Sequence, residues 1–271
     1  MTKPTNAMAC TNTDKAPKVA LITGGAKRIG AAITTALHTN GYAVIIHYHH
    51  SQTDAITLAD TLNSIRPNSA KIIQSSLTMS NDKATLMAFK DACLDLFGRI
   101  DVLVHNASSF YASDLGGKID TLYQDWDDLF LTNAKAPLFL STVFQNELKK
   151  NHGTIISLLD IHADAKPFVG YPIYNMAKAA HRMMVQSLAL EFAPDIRING
   201  VAPGVNIFPD HDQNPELNSQ TQAILTDSVP LKCIGTPEDI ADAVVFLANS
   251  RYVTGQIIAI DGGRGLTLKG G

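Results

Sequence analysis

The feature that most constrains the fold is a strand, a glycine turn and a helix near the start of the chain. The apolar run Val19–Ile22 is followed by a turn that contains Gly24, Gly25 and Gly30, and then by an Ala-rich helical pattern at residues 31–37. In this order, the free backbone N–H groups of the turn and the positive end of the helix dipole converge into a cradle for phosphate. Because glycines also simply connect strands to helices, the turn indicates a phosphate site only together with other signals.

Apolar runs with strand character recur along the chain and alternate with helical patterns at the spacing of βαβ units. Such units connect right-handedly into a parallel sheet. The sequence therefore predicts an α/β fold: a single-domain Rossmann-type doubly wound parallel sheet of about seven strands with helices on both faces. We expect this domain over residues 17–271, after a disordered tail at residues 1–16. The predicted strands are residues 19–22, 43–48, 71–74, 102–104, 155–159, 196–201 and 257–260, and the predicted helices include residues 53–65, 126–132 and 136–150.

Charge and hydropathy argue against several classes of protein. With a formal net charge of −3 and a pI near 6.3, the chain offers no basic surface for nucleic acid or an anionic membrane. No apolar run reaches about 18 residues, and the polar start of the chain does not resemble a signal peptide. Cys10, Cys93 and Cys233 stand far apart without metal-ligand spacing, so we expect reduced thiols and no metal site. The expectation is a cytoplasmic enzyme or binding protein without nucleic-acid or membrane partners.

Tyr174 and Lys178 stand four residues apart in a helical pattern, which places their side chains on one face. An ammonium group beside a phenol favours the ionised phenol, so we expect Lys178 to lower the pKa of Tyr174 and make it a proton donor near neutral pH. By itself, the spacing indicates a solvated helix face more often than a catalytic pair. Asp160 strengthens the hypothesis, because it follows the predicted strand at residues 155–159, and ligands of open α/β sheets bind beyond the carboxyl ends of strands.

The second predicted strand ends in a His-His-Ser segment, residues 49–51, rather than in an acidic residue. NAD-binding folds usually place Asp or Glu there to bind the ribose 2′-OH, and such an acid would repel the 2′-phosphate of NADP. Since Lys27 and Arg28 of the glycine turn are also nearby, the sequence predicts NADPH as the cofactor. Alternatively, His47 and the histidines of this segment are only polar loop residues or a metal cluster, although no further ligands stand at suitable spacing.

Three other segments are candidate parts of the site. Phe110 and Tyr111 follow the fourth predicted strand at the same rim as Tyr174, where they line the site or merely cover the core. Asn133 interrupts a helical pattern, which fits a turn, a back-bonded defect or a side chain that holds water or a backbone group near the site. The polar segment at residues 206–227 has little periodicity, so we expect an active-site lid; the alternative is a disordered surface loop.

Together these motifs resemble the short-chain dehydrogenase/reductase superfamily over about residues 17–265. The combination of motifs is specific to this family, although each motif by itself is only weak evidence for it. The turn Thr23 to Gly30 resembles the cofactor turn of the family, with Arg28 in place of its middle glycine. The other matching positions are the strand end Asn106-Ala107, the active-site Asn133, the pair Tyr174 and Lys178, the nicotinamide-side turn Pro203-Gly204 and the C-terminal signature Asp261-Gly262-Gly263.

Four departures from the general pattern resemble one branch, the pteridine reductases, and most closely its bacterial members. They are Arg28 in the glycine turn, the His-Tyr-His-His-Ser segment at residues 47–51, the Asn-Ala-Ser-Ser-Phe segment at residues 106–110, and Asp160 where most relatives have a catalytic serine. The aspartate is chemically reasonable, because a pteridine is reduced at ring C=N bonds whose nitrogens need protons.

The resemblance implies a role for each site residue. Lys178 would hold the nicotinamide ribose and tune Tyr174, Asp160 would relay a proton to Tyr174 or bind the aminopyrimidine edge, and Phe110 would stack on the pterin ring. The implied catalytic residues are Asp160, Tyr174, Lys178 and Asn133, and the implied substrate-binding residues are Arg28, Ser108, Phe110, Asp160 and Tyr174. The implied cofactor-binding residues are Thr23, Gly24, Lys27, Arg28, Ile29, Gly30, His49, His50, Ser51, Ser76, Leu77, Asn106, Ala107, Ser108, Tyr174, Lys178, Pro203, Gly204 and Val205.

The function implied by the resemblance is NADPH-dependent reduction of dihydropteridines, of the dihydrobiopterin, dihydromonapterin or dihydrofolate type, in folate and pterin metabolism. The superfamily usually assembles as a homotetramer. Two alternatives stay open: a carbonyl reductase such as a 3-oxoacyl-carrier-protein reductase, and a non-catalytic NADP-binding regulator. Asp160 in place of serine disfavours the first, and the intact Tyr174, Lys178 and Asn133 disfavour the second.

Overall fold

A computed structural model describes residues 16–164, 166–206 and 219–267 of the chain. Within these residues, seven parallel strands form one sheet in the order β3-β2-β1-β4-β5-β6-β7 once numbered along the chain. The strands are β1 (Val19–Ile22), β2 (Ala43–Tyr48), β3 (Ala70–Gln74), β4 (Val102–His105), β5 (Thr154–Leu158), β6 (Arg197–Pro203) and β7 (Ile257–Ile260). The apolar runs of the sequence become these strands because a parallel sheet is covered on both faces and exposes little of either.

The helices connect the strands and cover the sheet. They are α1 (Arg28–Thr39), α2 (Gln52–Ile65), α3 (Lys83–Phe97), α4 (Ile119–Phe130), α5 (Ala136–Val143), α6 (Gln145–Lys150), α7 (Pro172–Glu191), α8 (Ser219–Ser228), α9 (Pro237–Asn249) and α10 (Arg264–Thr267). Between α4 and α5, residues Leu131–Lys135 form a π-helical turn.

Helices lie on both faces of the sheet. Successive side chains of a strand point to opposite faces. Accordingly, Ile46 of β2 belongs to the core cluster of Leu37 in α1 and Val244 in α9, whereas the neighbouring Ile45 belongs to the core cluster of Phe89 in α3. The predicted doubly wound parallel sheet is therefore confirmed.

The strand order determines where in the sheet the candidate site lies. The chain winds from β1 to the β3 edge and then returns to the other side of β1, where β4 begins the second half of the sheet. Loops diverge at such a reversal, so a crevice forms beyond the carboxyl ends of β1 and β4. The glycine turn, the segment after β4 and Asp160 after β5 all follow carboxyl ends at this edge.

The predicted strand bounds agree with the structure to within two residues, but two helix predictions were wrong. The helix expected at residues 126–132 begins earlier, at Ile119, because Ile119 and Leu122 continue the apolar stripe of Trp126 at helical spacing. The helix expected at residues 136–150 is divided into α5 and α6 at Phe144, whose ψ of −1° departs from the α-helical value.

Two predictions fall largely outside the described residues. They are the disordered tail at residues 1–16, of which only residue 16 is described, and the lid at residues 206–227, of which residues 207–218 are not described. The described end of the proposed lid is helical, since it forms most of α8. Among the described helices, none is long and apolar enough to cross a membrane.

Candidate active site

The glycine turn is held against the end of β4 by hydrogen bonds from Asn106. Its side-chain amide donates to the carbonyl oxygens of Thr23 and Gly24, each at 2.9 Å. The hydroxyl of Thr23 accepts from the backbone N–H groups of Asn106 and Ala107 at 3.0 and 3.1 Å. Gly24 has φ of 61°, and a Cβ on Gly30 would collide with the Gly24 carbonyl. The backbone therefore closes here in a way that only glycine permits.

His47 holds the glycine turn in place through a hydrogen bond, a role that the sequence analysis did not predict. It is a buried residue of β2, as the strand predicted at residues 43–48 implies, so the alternative of a polar loop residue was wrong for His47. Its Nδ1 accepts from the Gly24 N–H at 3.2 Å, and its Nε2 lies 3.0 Å from the Ser75 carbonyl, to which it donates in the matching tautomer. Burial lowers the pKa of His47 to about 4, so the imidazole is neutral and can accept this bond. Its position inside an apolar strand was the signal in the sequence.

The basic and polar residues predicted to bind phosphate lie around the mouth of the turn. Arg28 is exposed and has φ of 51°, a backbone conformation that favours glycine. Lys27 forms an ion pair with Asp54 of α2 at 3.0 Å, so its charge is shared with an acid that sequence reasoning overlooked. The rings of His49 and His50 lie 3.6 Å apart, directly before α2.

Four further residues predicted to bind the cofactor are Ile29, Ser51, Ser76 and Leu77. Ser51 is the N-cap position of α2, without a side-chain capping bond, and Ile29 lies in the first turn of α1. Ser76 accepts from the backbone N–H of Thr78 at 3.2 Å and caps the 3-10 turn that begins at Leu77. These residues follow β1, β2 and β3 and so lie at the same edge of the sheet.

Tyr174 and Asp160 are in direct contact at the end of β5. The Tyr174 hydroxyl donates to one carboxylate oxygen of Asp160 at 2.8 Å, and the other oxygen accepts from the backbone N–H of His162 at 2.8 Å. Lys178, one turn further along α7, donates to the Leu158 carbonyl at 2.9 Å. The structure thus brings the three predicted central residues together, with Asp160 rather than Lys178 bonded to the phenol.

The expectation that Lys178 lowers the pKa of Tyr174 was wrong. Burial, the charge of Asp160 and the hydrogen bond to Asp160 raise the pKa of Tyr174 well above its ordinary value. The Lys178 nitrogen instead lies 5.8 Å from the centre of the Tyr174 ring, and burial lowers its own pKa to about 8, although the charge of Asp160 opposes this. Tyr174 is therefore a neutral hydroxyl near pH 7 that shares its proton with a carboxylate.

Asn133 organises the loop after β4. It is buried in the π-helical turn, where its amide donates to the carbonyls of Leu129 and Ser109, each at 3.0 Å. Its side-chain oxygen accepts from the Ser108 hydroxyl at 2.6 Å. The predicted back-bonded defect is thus the structure observed, and it also positions Ser108 beside the site. Such π-turns frequently occur at functional sites.

An aromatic cluster forms the outer wall of the site. Phe110, which is half exposed, stacks on Tyr171 with ring centres 4.8 Å apart, and its ring lies edge-on to Tyr174 at 4.9 Å. Tyr171 in turn stacks on Phe168 at 4.6 Å. An open cavity of about 870 Å³ lies beside this cluster. Tyr171 and Phe168 were not predicted, whereas Tyr111 turns to α4, where its hydroxyl donates to Asp128 at 3.0 Å.

The ends of β6 and β7 close the site on the remaining side. A Cβ on Gly204 would approach the Asp261 Cβ to 2.6 Å, so the turn of Pro203, Gly204 and Val205 packs directly against the segment after β7. That segment begins α10 with Arg264, which is buried and which sequence reasoning did not single out. Its position directly after a predicted strand was the available signal.

Comparison with known proteins agrees with this geometry. The family model described as Enoyl-(Acyl carrier protein) reductase matches residues 24–264. Pteridine reductase 1 of Leishmania tarentolae is 40% identical over 92% of this chain and 96% of its own length. Glucose 1-dehydrogenase 2 of Bacillus subtilis is 28% identical over 92% of this chain and 95% of its own. Dehydrogenase/reductase SDR family member 4 of Sus scrofa is 27% identical over 91% of this chain and 86% of its own.

Proposed function

Because this chain belongs to the short-chain dehydrogenase/reductase family of oxidoreductases, we propose that it is a pteridine reductase that uses NADPH to reduce dihydropteridines to their tetrahydro forms. Candidate substrates are of the dihydrobiopterin, dihydromonapterin or dihydrofolate type. The observation that supports this best is the 2.8 Å hydrogen bond between Tyr174 and Asp160, which pairs the phenol with a second group able to carry a proton. The 40% identity to a relative named Pteridine reductase 1 supports the same substrate class.

The residues at the carboxyl edge fit a nicotinamide dinucleotide. Gly24 and Gly30 let the turn pack closely against itself and against Asn106 and Ala107, which sets the turn at the N-terminus of α1, where a pyrophosphate would bind. Arg28 and the polar segment at residues 49–51 would bind the 2′-phosphate, while Lys178 would hold the nicotinamide ribose. The bound cofactor supplies the hydride. The remaining proposed contacts are Thr23, Lys27, Ile29, Ser76, Leu77, Asn106, Ala107, Ser108, Pro203, Gly204 and Val205.

The protein's own contribution to the reaction is the proton. Reduction of a C=N bond adds a hydride to carbon and a proton to nitrogen. Tyr174 would give its hydroxyl proton to the ring nitrogen, and the Asp160 carboxylate would take up a proton from solvent and pass it to the phenolate oxygen across the 2.8 Å bond. Because the pKa of Tyr174 is raised, the phenol is a weak acid by itself, and this return of a proton avoids an isolated phenolate in a buried site.

Phe110 would bind the pterin ring. Half of its surface is exposed while its other face stacks on Tyr171, so one aromatic face is held in place for a flat ligand. Ser108 and Arg28 lie on neighbouring loops at the same edge and would bind polar atoms of the substrate. Asn133 would act by holding Ser108 through their 2.6 Å hydrogen bond.

We also propose that the protein is a cytoplasmic homotetramer, as expected from the sequence. Each subunit would consist of one NADP-binding reductase domain at residues 17–271, with a lid at residues 206–227. Exposed apolar side chains on two helices, among them Phe139 of α5 and Met183 of α7, support an interface between copies. Light scattering after size-exclusion chromatography measures the mass, and a monomer would contradict the tetramer.

NADPH oxidation, followed by absorbance with purified protein, tests the proposed function. Dihydrobiopterin is the first substrate, with an acetoacetyl thioester and NADH as parallel alternatives. We expect turnover with the dihydropterin and NADPH, its loss in Tyr174→Phe, and its retention in Tyr123→Phe, which alters an exposed tyrosine of α4. Reduction of the thioester alone would replace the proposal with the carbonyl-reductase alternative, and binding of NADPH without any turnover would favour the regulator.

A further inference from the structure

The loop that carries Phe110 is held by hydrogen bonds directly before this residue. The Ser109 backbone N–H donates to the Thr132 hydroxyl at 3.2 Å, and the Ser109 carbonyl accepts from the Asn133 amide at 3.0 Å. The Thr132 hydroxyl in turn donates to the Asp128 carbonyl at 3.0 Å. The start of the loop is therefore joined to the end of α4 and to the π-helical turn.

Tyr111 holds the loop directly after Phe110. Its hydroxyl donates to a carboxylate oxygen of Asp128 at 3.0 Å, and hydrogen bonds to a charged acceptor are stronger than neutral ones. Its half-buried ring packs against the small core cluster that contains Tyr174. Asp128 therefore acts on both sides of Phe110, through its carbonyl and Thr132 before it and through its side chain after it.

Phe110 itself is not anchored in the core, since half of its surface is exposed. Its ring is nearly parallel to that of Tyr171, with an angle of 10° between the planes. A single exposed aromatic pair contributes little by itself, so the position of this ring depends on the backbone that carries it. Further along the loop, the Ser113 N–H donates to the Gly170 carbonyl at 3.1 Å, next to Tyr171. The loop and the segment before α7 thus form one connected wall.

We propose that Tyr111 is a positioning residue for substrate binding, a proposal that rests on the proposed role of Phe110. The hydrogen bond from Tyr111 to Asp128 fixes the backbone after Phe110, so the ring stays stacked on Tyr171 and keeps its exposed face in place for a flat substrate. Such pre-organisation reduces the entropy lost when a ligand binds. Because this bond does not take part in proton transfer from Tyr174, its loss raises the KM of the substrate rather than lowering kcat.

Four variants test this role. Tyr111→Phe removes the donor and keeps the ring, and Asp128→Ala removes the acceptor. Asp128→Asn keeps a side-chain oxygen that accepts from a hydroxyl. Asp127→Ala alters an exposed neighbour on α4 and is the matched control. Steady-state NADPH oxidation gives KM and kcat with whichever substrate the wild-type protein reduces.

We expect Tyr111→Phe and Asp128→Ala each to raise the KM of the substrate about fivefold, which corresponds to about 1 kcal/mol, the net contribution typical of one hydrogen bond. The kcat should stay within about twofold of the wild type. The double variant should raise KM no further than either single variant, because both changes remove the same bond. Asp128→Asn and Asp127→Ala should keep a KM near that of the wild type.

Fluorine NMR measures the position of Phe110 without any substrate. In protein labelled with para-fluorophenylalanine, the signal of Phe110 is identified by its loss in Phe110→Leu. Asp128→Ala should move this signal toward its position in the unfolded protein, since the ring leaves its stacked place on Tyr171, and Asp128→Asn should not. Unchanged signals from the other labelled residues show that the fold is intact.

Two results would overturn the inference. One is a KM within about twofold of the wild type in both Tyr111→Phe and Asp128→Ala. The other is a Phe110 signal in Asp128→Ala that equals the wild-type signal, which would mean that the bond does not position the ring. If the wild type reduces only the thioester, the pteridine proposal fails, while the fluorine signal still decides whether this bond positions Phe110. The two failures are therefore distinguishable.

Discussion

Replacing Asp160 with asparagine separates the proton relay from the shape of the site. The carboxylate has two bonded oxygens, one accepting from the His162 N–H and one from the Tyr174 hydroxyl, both at 2.8 Å. The single amide oxygen of asparagine can keep the first bond, so the NH₂ group then faces Tyr174. An NH₂ group neither accepts the hydroxyl proton nor returns one, so Asp160→Asn removes the relay with little change in volume.

The expected loss in turnover follows from these contacts. Positioned acid–base groups typically contribute about 10²- to 10⁴-fold to rate. We therefore expect kcat to fall at least about 100-fold, which raises the activation barrier by about 2.7 kcal/mol. The dissociation constant of NADPH should change by no more than about twofold, because the glycine turn lies on other strands.

The same substitution should change the titration of Tyr174. Two of the three causes that raise the pKa of Tyr174, the charge of Asp160 and its hydrogen bond, disappear, whereas burial remains. The pKa of Tyr174 should therefore fall relative to the wild type and stay above its ordinary value. Ultraviolet difference titration measures this, with Tyr174→Phe identifying the signal.

Single-turnover NADPH oxidation measures the rate, and fluorescence measures NADPH binding. The matched control is Asp164→Asn, which alters an exposed aspartate on the same segment and should leave both quantities near wild type. If Asp160→Asn retained turnover to within about threefold, the carboxyl group would have no part in proton transfer and the relay would be refuted.

Two further predictions concern the glycine turn. Gly30→Ala should weaken NADPH binding at least about tenfold, since its Cβ would displace the Gly24 carbonyl. As a control, Gly98→Ala should only cost about 1 kcal/mol of stability, because the φ of 71° at Gly98 favours glycine. Calorimetry measures NADPH binding and stability, and equal effects of the two variants on binding would contradict the close approach of Gly30 to the Gly24 carbonyl. The pKa of His47 is about 4 in the folded protein, below its ordinary value, so the unfolded chain binds more protons than the folded protein between pH 6.5 and 4. The free energy of unfolding should therefore decline as the pH falls through this window, with up to about 3 kcal/mol of the decline due to His47. Denaturant titrations at several pH values should show a shallower decline in His47→Gln, and an unchanged slope would mean that His47 is not buried and neutral.

Local patterns were enough to predict the fold and the centre of the site. Alternating apolar runs and helical segments indicate a parallel α/β sheet because strand and helix periodicities are local properties of the chain. The helical spacing of Tyr174 and Lys178 and the strand before Asp160 likewise predicted that these residues would meet, since side chains four apart share a helix face and strand ends share a sheet edge.

Partners from distant segments could not be predicted in the same way. Asp54 pairs with Lys27 because the first turn of α2 lies against the glycine turn, and the sequence does not contain that packing. His47 was grouped with the histidines that follow it, although the strand direction turns it inward under Gly24. Lys166 and Gly265 lie 99 residues apart along the chain and meet only because the segments after β5 and β7 pack together.

The sequence by itself determined which groups are present at the carboxyl edge: a glycine turn, a carboxylate after β5 and a tyrosine and lysine on one helix face. Only the tertiary structure decided how they act on each other. Lys178 bonds to the Leu158 carbonyl while Asp160 bonds to the phenol, so the pKa of Tyr174 rises instead of falling. The physical reason is that a pKa depends on burial and on distances of a few ångströms, which the packing of separate strands and helices sets.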